Sequence, residues 1–200
     1  MSVSRHSEHA VAPFLLARRS PRYFQQALIE EHVLLSLFEA ARWAPSASNS
    51  QPWRFIYARN GTPHWPRLLG LLNEKNQVWA ANSSALIVLL SKTRQRKADS
   101  DTPTPLRTHS LDTGAAWLSL ALQAEYAGWH AHAIGGLDRE RARTELEVPD
   151  DYQVEIAIAI GQKAEPASLS AEELEREVPT LRAPLEALIA EGSFAPQWRE

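Results

Sequence analysis

The stretch Ala41-Arg42-Trp43-Ala44-Pro45-Ser46-Ala47-Ser48-Asn49-Ser50-Gln51-Pro52-Trp53-Arg54-Phe55 decides how this chain is read. On its N-terminal side, Val33, Leu34, Leu37, Phe38 and Ala41 recur at helical spacing, which predicts a helix over Glu30 to Trp43. Glu30 and Glu31 suit the positive end of its dipole. On the C-terminal side, Trp53 to Ala58 reads as a strand, with Phe55 and Tyr57 on one face and Arg54 and Ile56 on the other. Between them lies a loop of hydroxyls and amides that stops at Pro52. Serine and asparagine dominate turns for backbone reasons alone. The same amides both donate and accept, which also suits the edge of a planar heterocycle. A nucleophilic serine is not indicated, because no Gly-x-Ser-x-Gly elbow and no histidine partner at recognisable spacing accompany it.

A second polar run, Arg18-Arg19-Ser20-Pro21-Arg22, closes a helix-like segment from Ala10 to Arg18. Three guanidinium groups and a hydroxyl together suit a phosphate; a solvated basic helix end is the other reading. Arg182, in the apolar context Leu181-Arg182-Ala183-Pro184-Leu185, offers a further cation. Each charge-assisted hydrogen bond is worth about 1.5–3 kcal/mol, so three or four would hold a phosphate against desolvation. The two runs together point to a phosphorylated, planar cofactor.

The 200 residues, 44% hydrophobic and 22% charged, fit one domain over 1–200. A net charge of -3 with a pI near 6.2 argues against a nucleic-acid or anionic-membrane binder. The absence of cysteine excludes disulfides, thiolate catalysis, iron–sulfur clusters and cysteine-ligated zinc, and is compatible with a reducing cytoplasm. Residues 1–9 read as a polar tail, and Ala10 to Ala17 is too short for a signal peptide or membrane span, so a cytoplasmic location is expected. His130 and His132 share one face of a strand, but no carboxylate or cysteine cluster completes a site, and no metal is expected. The tryptophans read as core or interface anchors. Neither a Gly-x-Gly-x-x-Gly nor a Walker loop is present.

Downstream, Ser84 to Ser91 reads as a strand buried on both faces, and Thr93 to His109 (93–109) as a flexible surface loop. Asp112 to Tyr126 has almost no polar face, which predicts a helix buried nearly all round, either centrally or against a second subunit. Gly128 closes it, Ala131 to Ile134 forms a short strand, and Asp138 caps a helix after Gly135-Gly136. Gln153 to Ile160 sets Val154, Ile156, Ile158 and Ile160 against Ala157 and Ala159. Ser170 opens a capping box, and Pro184 to Ala190 predicts a last helix. Several helices before the first strand, then alternation, imply an α+β fold with a central mixed sheet.

From about Leu16 to about Phe194 the chain resembles the FMN-dependent nitroreductase-like oxidoreductases. The segments that carry the resemblance are Arg18 to Phe24, Ala41 to Phe55, Asn76 with Trp79-Ala80, Asp112 to Gly114, Ile134-Gly135-Gly136-Leu137-Asp138, Val148 to Gly161, and Arg182-Ala183-Pro184-Leu185. The resemblance implies a homodimeric nitroreductase-like fold with a long buried central helix and two FMN sites at the subunit interface. It implies that Arg18, Arg19, Ser20 and Arg22 hold phosphate, ribityl and pyrimidine edge, with Arg22 near the ring N1 and O2. Arg182 would join Arg18 and Ser20 at the phosphate, and Asn76 would bond the ring edge. Pro45, Ser46, Asn49 and Gln51 would come from the partner chain, while Gly135 and Gly136 would let backbone amides approach the flavin N5 side. Thr180, where a second basic residue is usual, and Gly135, where a glutamate is common, are departures.

The activity implied is ping-pong hydride transfer from NADH or NADPH through flavin N5 to a small electron-poor acceptor such as a nitroaromatic, quinone, enal or enone. No side chain is required as obligatory acid or base. An FMN reservoir or sensor without turnover, and a relative that has lost FMN and serves as an interaction protein, are the other readings.

Overall fold

The structure is a computed structural model that describes residues 5–96, 102–195 and 198. Its centre is β7 (Tyr152–Lys163), a twelve-residue strand with β3 (Ala85–Lys92) on one side and both β6 (His130–Ile134) and β1 (Phe24–Gln25) on the other. β2 (Trp53–Arg59) pairs with the free edge of β3.

Every strand pairing among the described residues is antiparallel, so the chain by itself shows no parallel pair of the expected mixed sheet. The reason is the size of the connecting helices. α3 (Trp65–Gly70) and α4 (Glu74–Ala80) link β2 to β3, and α6 (Arg139–Glu145) links β6 to β7. Helices of six or seven residues reach only about 10 Å, which is too short to run back along the sheet, so each connection stays at one end and the chain returns antiparallel.

The continuous apolar run of β3 is buried on both faces, as its pattern predicts. Leu86, Val88 and Leu90 pack with Trp65, Leu68, Leu71 and Ala142 beneath α3 and α6. Ala85, Ile87 and Leu89 pack on the opposite face with Leu34, Leu37, Ala116 and Leu120. That second layer comes from α2 (Glu31–Arg42) and α5 (His109–Tyr126). The regular alternation expected of β7 breaks once. A register shift opposite Leu89/Leu90 turns Val154 into the first cluster, while Ile156 and Ile158 stay with the second.

α5 is eighteen residues long, but within the chain its apolar surface is not buried all round. Ala116, Leu120, Ala121 and Ala124 are enclosed, whereas Leu111 is 75% and Leu118 46% exposed. Gly128 adopts φ +74° just beyond its end, a left-handed value that favours glycine. Asp138 caps α6, and Ser170 forms the predicted capping box on α7 (Ala171–Arg176).

Three further expectations are corrected. The Ala10 to Arg18 helix shortens to α1 (Pro13–Ala17), because Pro13 opens it and the arginine run leaves it, and β1 already lies between α1 and α2. The final helix is only a turn, Leu185–Ala187, with no buried side chain to support more. Within 93–109, β4 (Arg94–Gln95) and β5 (Thr104–Pro105) form a small hairpin, and 97–101 lies outside the described residues, as do 1–4 of the expected tail. No helix among the described residues is long and apolar enough to cross a membrane.

Candidate functional site

The arginine run leaves α1 and leads into β1, whose Phe24 lies opposite Lys163 at the far end of β7. Phe24 packs directly over Gly161, where a Cβ would stand 2.5 Å from the ring. This close fit anchors the run to the sheet. Arg18 and Arg19 are half-buried and Arg22 is exposed. They line a cavity of about 280 Å³ with Ser20, Arg5, Arg176, Arg182, Glu177, Thr180 and His132.

Six arginines face one carboxylate around this cavity. Arg18 donates to Ser20 Oγ (3.1 Å), and Arg5 donates to the carbonyls of Leu16 (3.2 Å) and Arg18 (2.7 Å). Burial, then the nearby Arg182, Arg18 and Arg19, push the Arg5 guanidinium below its usual value. Its Nε is buried without a partner among the described residues. This self-repelling cluster is stabilised by an anion. Glu177 provides part of that compensation. Its carboxylate accepts from the Arg22 amide (2.7 Å) and its carbonyl from Arg19 (2.6 Å), which fastens the segment after α7 over the run. Among the described residues, Arg182 makes only long contacts to Thr180 and Leu181, 3.4–3.5 Å. The donor set fits a phosphate.

A hydrogen-bonded and packed line runs from this cavity to Asn76 and Gly136. His132 bonds the Pro21 carbonyl through Nδ1 (2.8 Å) and packs against Trp79 with ring centroids 4.7 Å apart, the planes tilted by 45°. Burial, outweighing the bond to Pro21, and the neighbouring Arg22 hold His132 below the usual histidine range. Trp79 Nε1 donates to Asn76 Oδ1 (3.1 Å), and Asn76 Nδ2 donates to the Gly136 carbonyl (3.2 Å). A Cβ on Gly136 would fall 2.4 Å from Asn73 Nδ2 and 2.6 Å from Asn76 Nδ2, so any larger residue here would have to displace both asparagine side chains. Gly135 has open space at the same position.

Pro45, Ser46, Asn49 and Gln51 stand apart. Pro45, Asn49 and Gln51 are exposed, and none of the four lines the arginine cavity. Ser48, Asn49 and Gln51 hold φ of 52°, 53° and 46°. Left-handed backbone at non-glycine residues costs about 1–3 kcal/mol each, and persists only where surroundings impose it. Here Ser46 Oγ accepts from the Gln51 amide (3.0 Å), and the buried Asp112 accepts from the Ala47 amide (3.2 Å).

The register shows how far apart the two motifs are. Trp53, directly after the loop, pairs with Ser91, which pairs with Gln153; the arginine run precedes Phe24, which pairs with Lys163. Ten residues of β7 separate these positions, about 33 Å at the usual strand rise. Arg18, Arg19, Ser20, Arg22 and Arg182 are thus brought together, Asn76 and Gly136 are linked to them through His132 and Trp79, and the Ser46 loop is not. Sequence reasoning missed Arg5, Arg176, Glu177 and His132 as lining residues. Only His132 carried a signal, a polar side chain that shares one face of a short strand with His130.

Residues 15–162 match the model of the nitroreductase family. The chain is similar, with TM-score 0.91 and 43% identity over 98% of its own length and 99% of the other's, to a crystal structure of an oxidoreductase containing FMN. A nitroreductase-like protein in complex with FMN from Desulfovibrio desulfuricans aligns over 94% of this chain and all of its own, with TM-score 0.69 and 24% identity, a likeness of fold. Among curated proteins, a Streptomyces coelicolor protein provisionally named NADH dehydrogenase/NAD(P)H nitroreductase is 34% identical over 93 residues. The Bacillus subtilis protein provisionally named NAD(P)H nitroreductase YfhC is 35% identical over 57 residues. These matches span 44% and 28% of this chain, and 46% and 29% of those relatives. With the arginine run, the Ser46 loop and the Gly136 turn all inside the matched stretch, the chain belongs to the nitroreductase family.

Proposed function

We propose that the chain is an FMN-dependent NAD(P)H oxidoreductase that works as a homodimer, each site being completed by the loop of a second chain. The observation that carries this reading is the separation of two polar motifs along β7. The arginine cavity fits a phosphate, and the exposed loop of amides and hydroxyls fits a ring edge, yet no flavin mononucleotide spans the distance between them in one chain. The exposed apolar surface of α5, with Leu111 and Leu118, supports a second chain as its cover. The names of the relatives support FMN and a nicotinamide donor.

In this reading Arg18, Arg19, Ser20 and Arg182 hold the phosphate and ribityl end. Thr180 supplies no charge at a position often basic in the family, but Arg5 and Arg176 line the same cavity. Arg22 holds negative charge at the N1–O2 edge, where a fixed guanidinium needs no reorganisation. Asn76 bonds the ring edge, Gly135 and Gly136 leave the N5 side open, and Pro45, Ser46, Asn49 and Gln51 of the second chain close the pocket. FMN held there would supply hydride chemistry between NADH or NADPH and an electron-poor small molecule. Donor and acceptor use the same face in turn, which makes the kinetics ping-pong. A cytoplasmic location accords with the cysteine-free sequence.

The test is the visible absorption spectrum of the freshly purified protein, with FMN supplied as a control, followed anaerobically through NADH and then NADPH. A bound-flavin spectrum that bleaches with one donor and recovers with a quinone is expected. A protein that binds FMN but is reduced by neither donor refutes the enzyme, and one that binds no FMN refutes the cofactor assignments.

A further inference from the structure

We propose that Asp112 is a positioning residue, the end of a polar brace that fixes the left-handed geometry of the Ser46–Gln51 loop; its effect on catalysis rests on the function proposed above.

The brace begins on the sheet. Ser91, on β3 and completely buried, hydrogen-bonds both His109 Nδ1 (2.7 Å) and Glu155 Oε1. Ser110 also donates to Glu155 Oε1 (2.6 Å), and Gln153 donates to Oε2 (3.1 Å). Glu155 therefore has both oxygens occupied. Because Ser91 has one proton and gives it to the carboxylate, His109 Nδ1 carries the proton of its own bond to Ser91. His109 and Ser110 are the first two residues of α5, so the cluster fixes where this helix starts and which way its first turn faces.

Asp112 is three residues beyond His109, still in the first turn of the same helix. It is 8% exposed, and its Oδ2 accepts from Thr108 Oγ1 (3.0 Å) and from the Ala47 amide (3.2 Å). A carboxylate in the first turn is favoured by the helix dipole, and its second role is external to the helix. Ala47 is the first residue of the tight turn Ala47–Asn49, directly before the left-handed Ser48 and Asn49. Of the other bonds of the loop among the described residues, Asn49 N to Ser46 O, Ser50 N to Ala47 O, Gln51 N to Ser46 Oγ and Gln51 Nε2 to Asn49 O are internal to it, and Arg54 Nη1 on β2 donates to the Gln51 carbonyl (3.0 Å) at its C-terminal end. The internal bonds preserve its shape and Arg54 holds only its last residue, so the Ala47 end is directed by Asp112. Asp112 joins the loop to α5, and α5 is joined to the sheet.

The experiment compares Asp112→Ala and Asp112→Asn with the wild type by amide hydrogen exchange at Ala47, in protein stripped of FMN. Losing one acceptor should speed exchange about tenfold in Asp112→Ala, and about threefold in Asp112→Asn, whose amide oxygen is a weaker acceptor. Unchanged exchange at Ala47 in a folded Asp112→Ala overturns the brace. If that variant does not fold, unchanged exchange in Asp112→Asn does so. The second readout uses the FMN-loaded enzyme with 1,4-benzoquinone. The loop does not touch the phosphate, so FMN affinity should hold within about threefold in Asp112→Ala while kcat/KM for the quinone falls about tenfold, with partial rescue by Asp112→Asn. Faster exchange at Ala47 with unchanged quinone kinetics overturns the functional half. If the wild type binds no FMN, the proposed function fails and the exchange measurement alone decides the brace.

Discussion

Gly135 and Gly136 are adjacent, similar in sequence and opposite in environment, which makes Gly136→Ala a sharp test of the reading. The new Cβ would stand 2.4 Å from Asn73 Nδ2 and 2.6 Å from Asn76 Nδ2, closer than real contacts allow. The backbone of Gly136 is not left-handed, so the cost is a collision and not a strained φ. To relieve it both asparagines must turn. Turning Asn73 removes the cap of α4, in which Oδ1 accepts from the Asn76 amide (3.0 Å), a bond worth about 1 kcal/mol. Turning Asn76 removes its bonds to the Gly136 carbonyl and from Trp79 Nε1, about 1 kcal/mol each. The expected loss is about 3 kcal/mol, which for a chain of this length lowers Tm by about 6–12 °C. Gly135→Ala meets nothing within 4 Å and should leave Tm unchanged within about 1 °C. Differential scanning calorimetry of the two FMN-free variants reads both values. A Tm for Gly136→Ala within about 1 °C of the wild type would refute the argument that this turn is locked against α4.

Other substitutions separate the proposed roles. Arg18→Ala should mainly lose FMN, whereas Arg22→Ala should slow flavin reduction more than it weakens binding; equal loss of both by both variants would contradict that division, as fluorescence titration and stopped-flow reduction would show. An Arg18→Ala chain and an Asn49→Ala/Gln51→Ala chain, inactive or weak alone, should regain activity when mixed and reassociated, because one of the two sites in the mixed dimer then has both halves intact. No recovery after verified exchange argues against sites shared between chains. His130 and His132 are both held below the usual value of 6.5, chiefly by burial, so the unfolded chain binds protons that the folded chain refuses. Their contribution is therefore complete above about pH 6.5 and is lost as the pH falls towards their folded values, so Tm should be lower near pH 5.5 than near pH 7.5. His132→Gln should reduce that difference, and an unaltered slope would assign it elsewhere.

The sequence made the elements legible where periodicity was strong, and misjudged them where partners decide. β3 reads as doubly buried because Ala85 to Leu90 has no polar position, and Leu86 and Ile87 pack in opposite clusters. Val154 was assigned to the wrong face because a bulge is a property of two paired strands, not of one. The arginine run was legible as a concentration of cations, and the structure gathers Arg18, Arg19, Ser20 and Arg22 around one cavity. Glu177, some 155 residues away, gave no local sign that its carboxylate would meet the Arg22 amide. Arg5 was read as part of a polar tail, although its guanidinium lies among Arg18, Arg19 and Arg182. For α5, hydrophobicity predicted burial all round, whereas within the chain Leu111 and Leu118 stay exposed, because composition does not say which side of a helix finds a neighbour.

The length of β7 has a consequence for how variation accumulates in this protein. Substitutions at its two ends are separated by far more than the distance over which stability effects couple, so within one chain they add. A library randomised over 45–51 therefore leaves the foundation of the arginine cavity untouched. Stability changes made at the two ends can be summed within one chain.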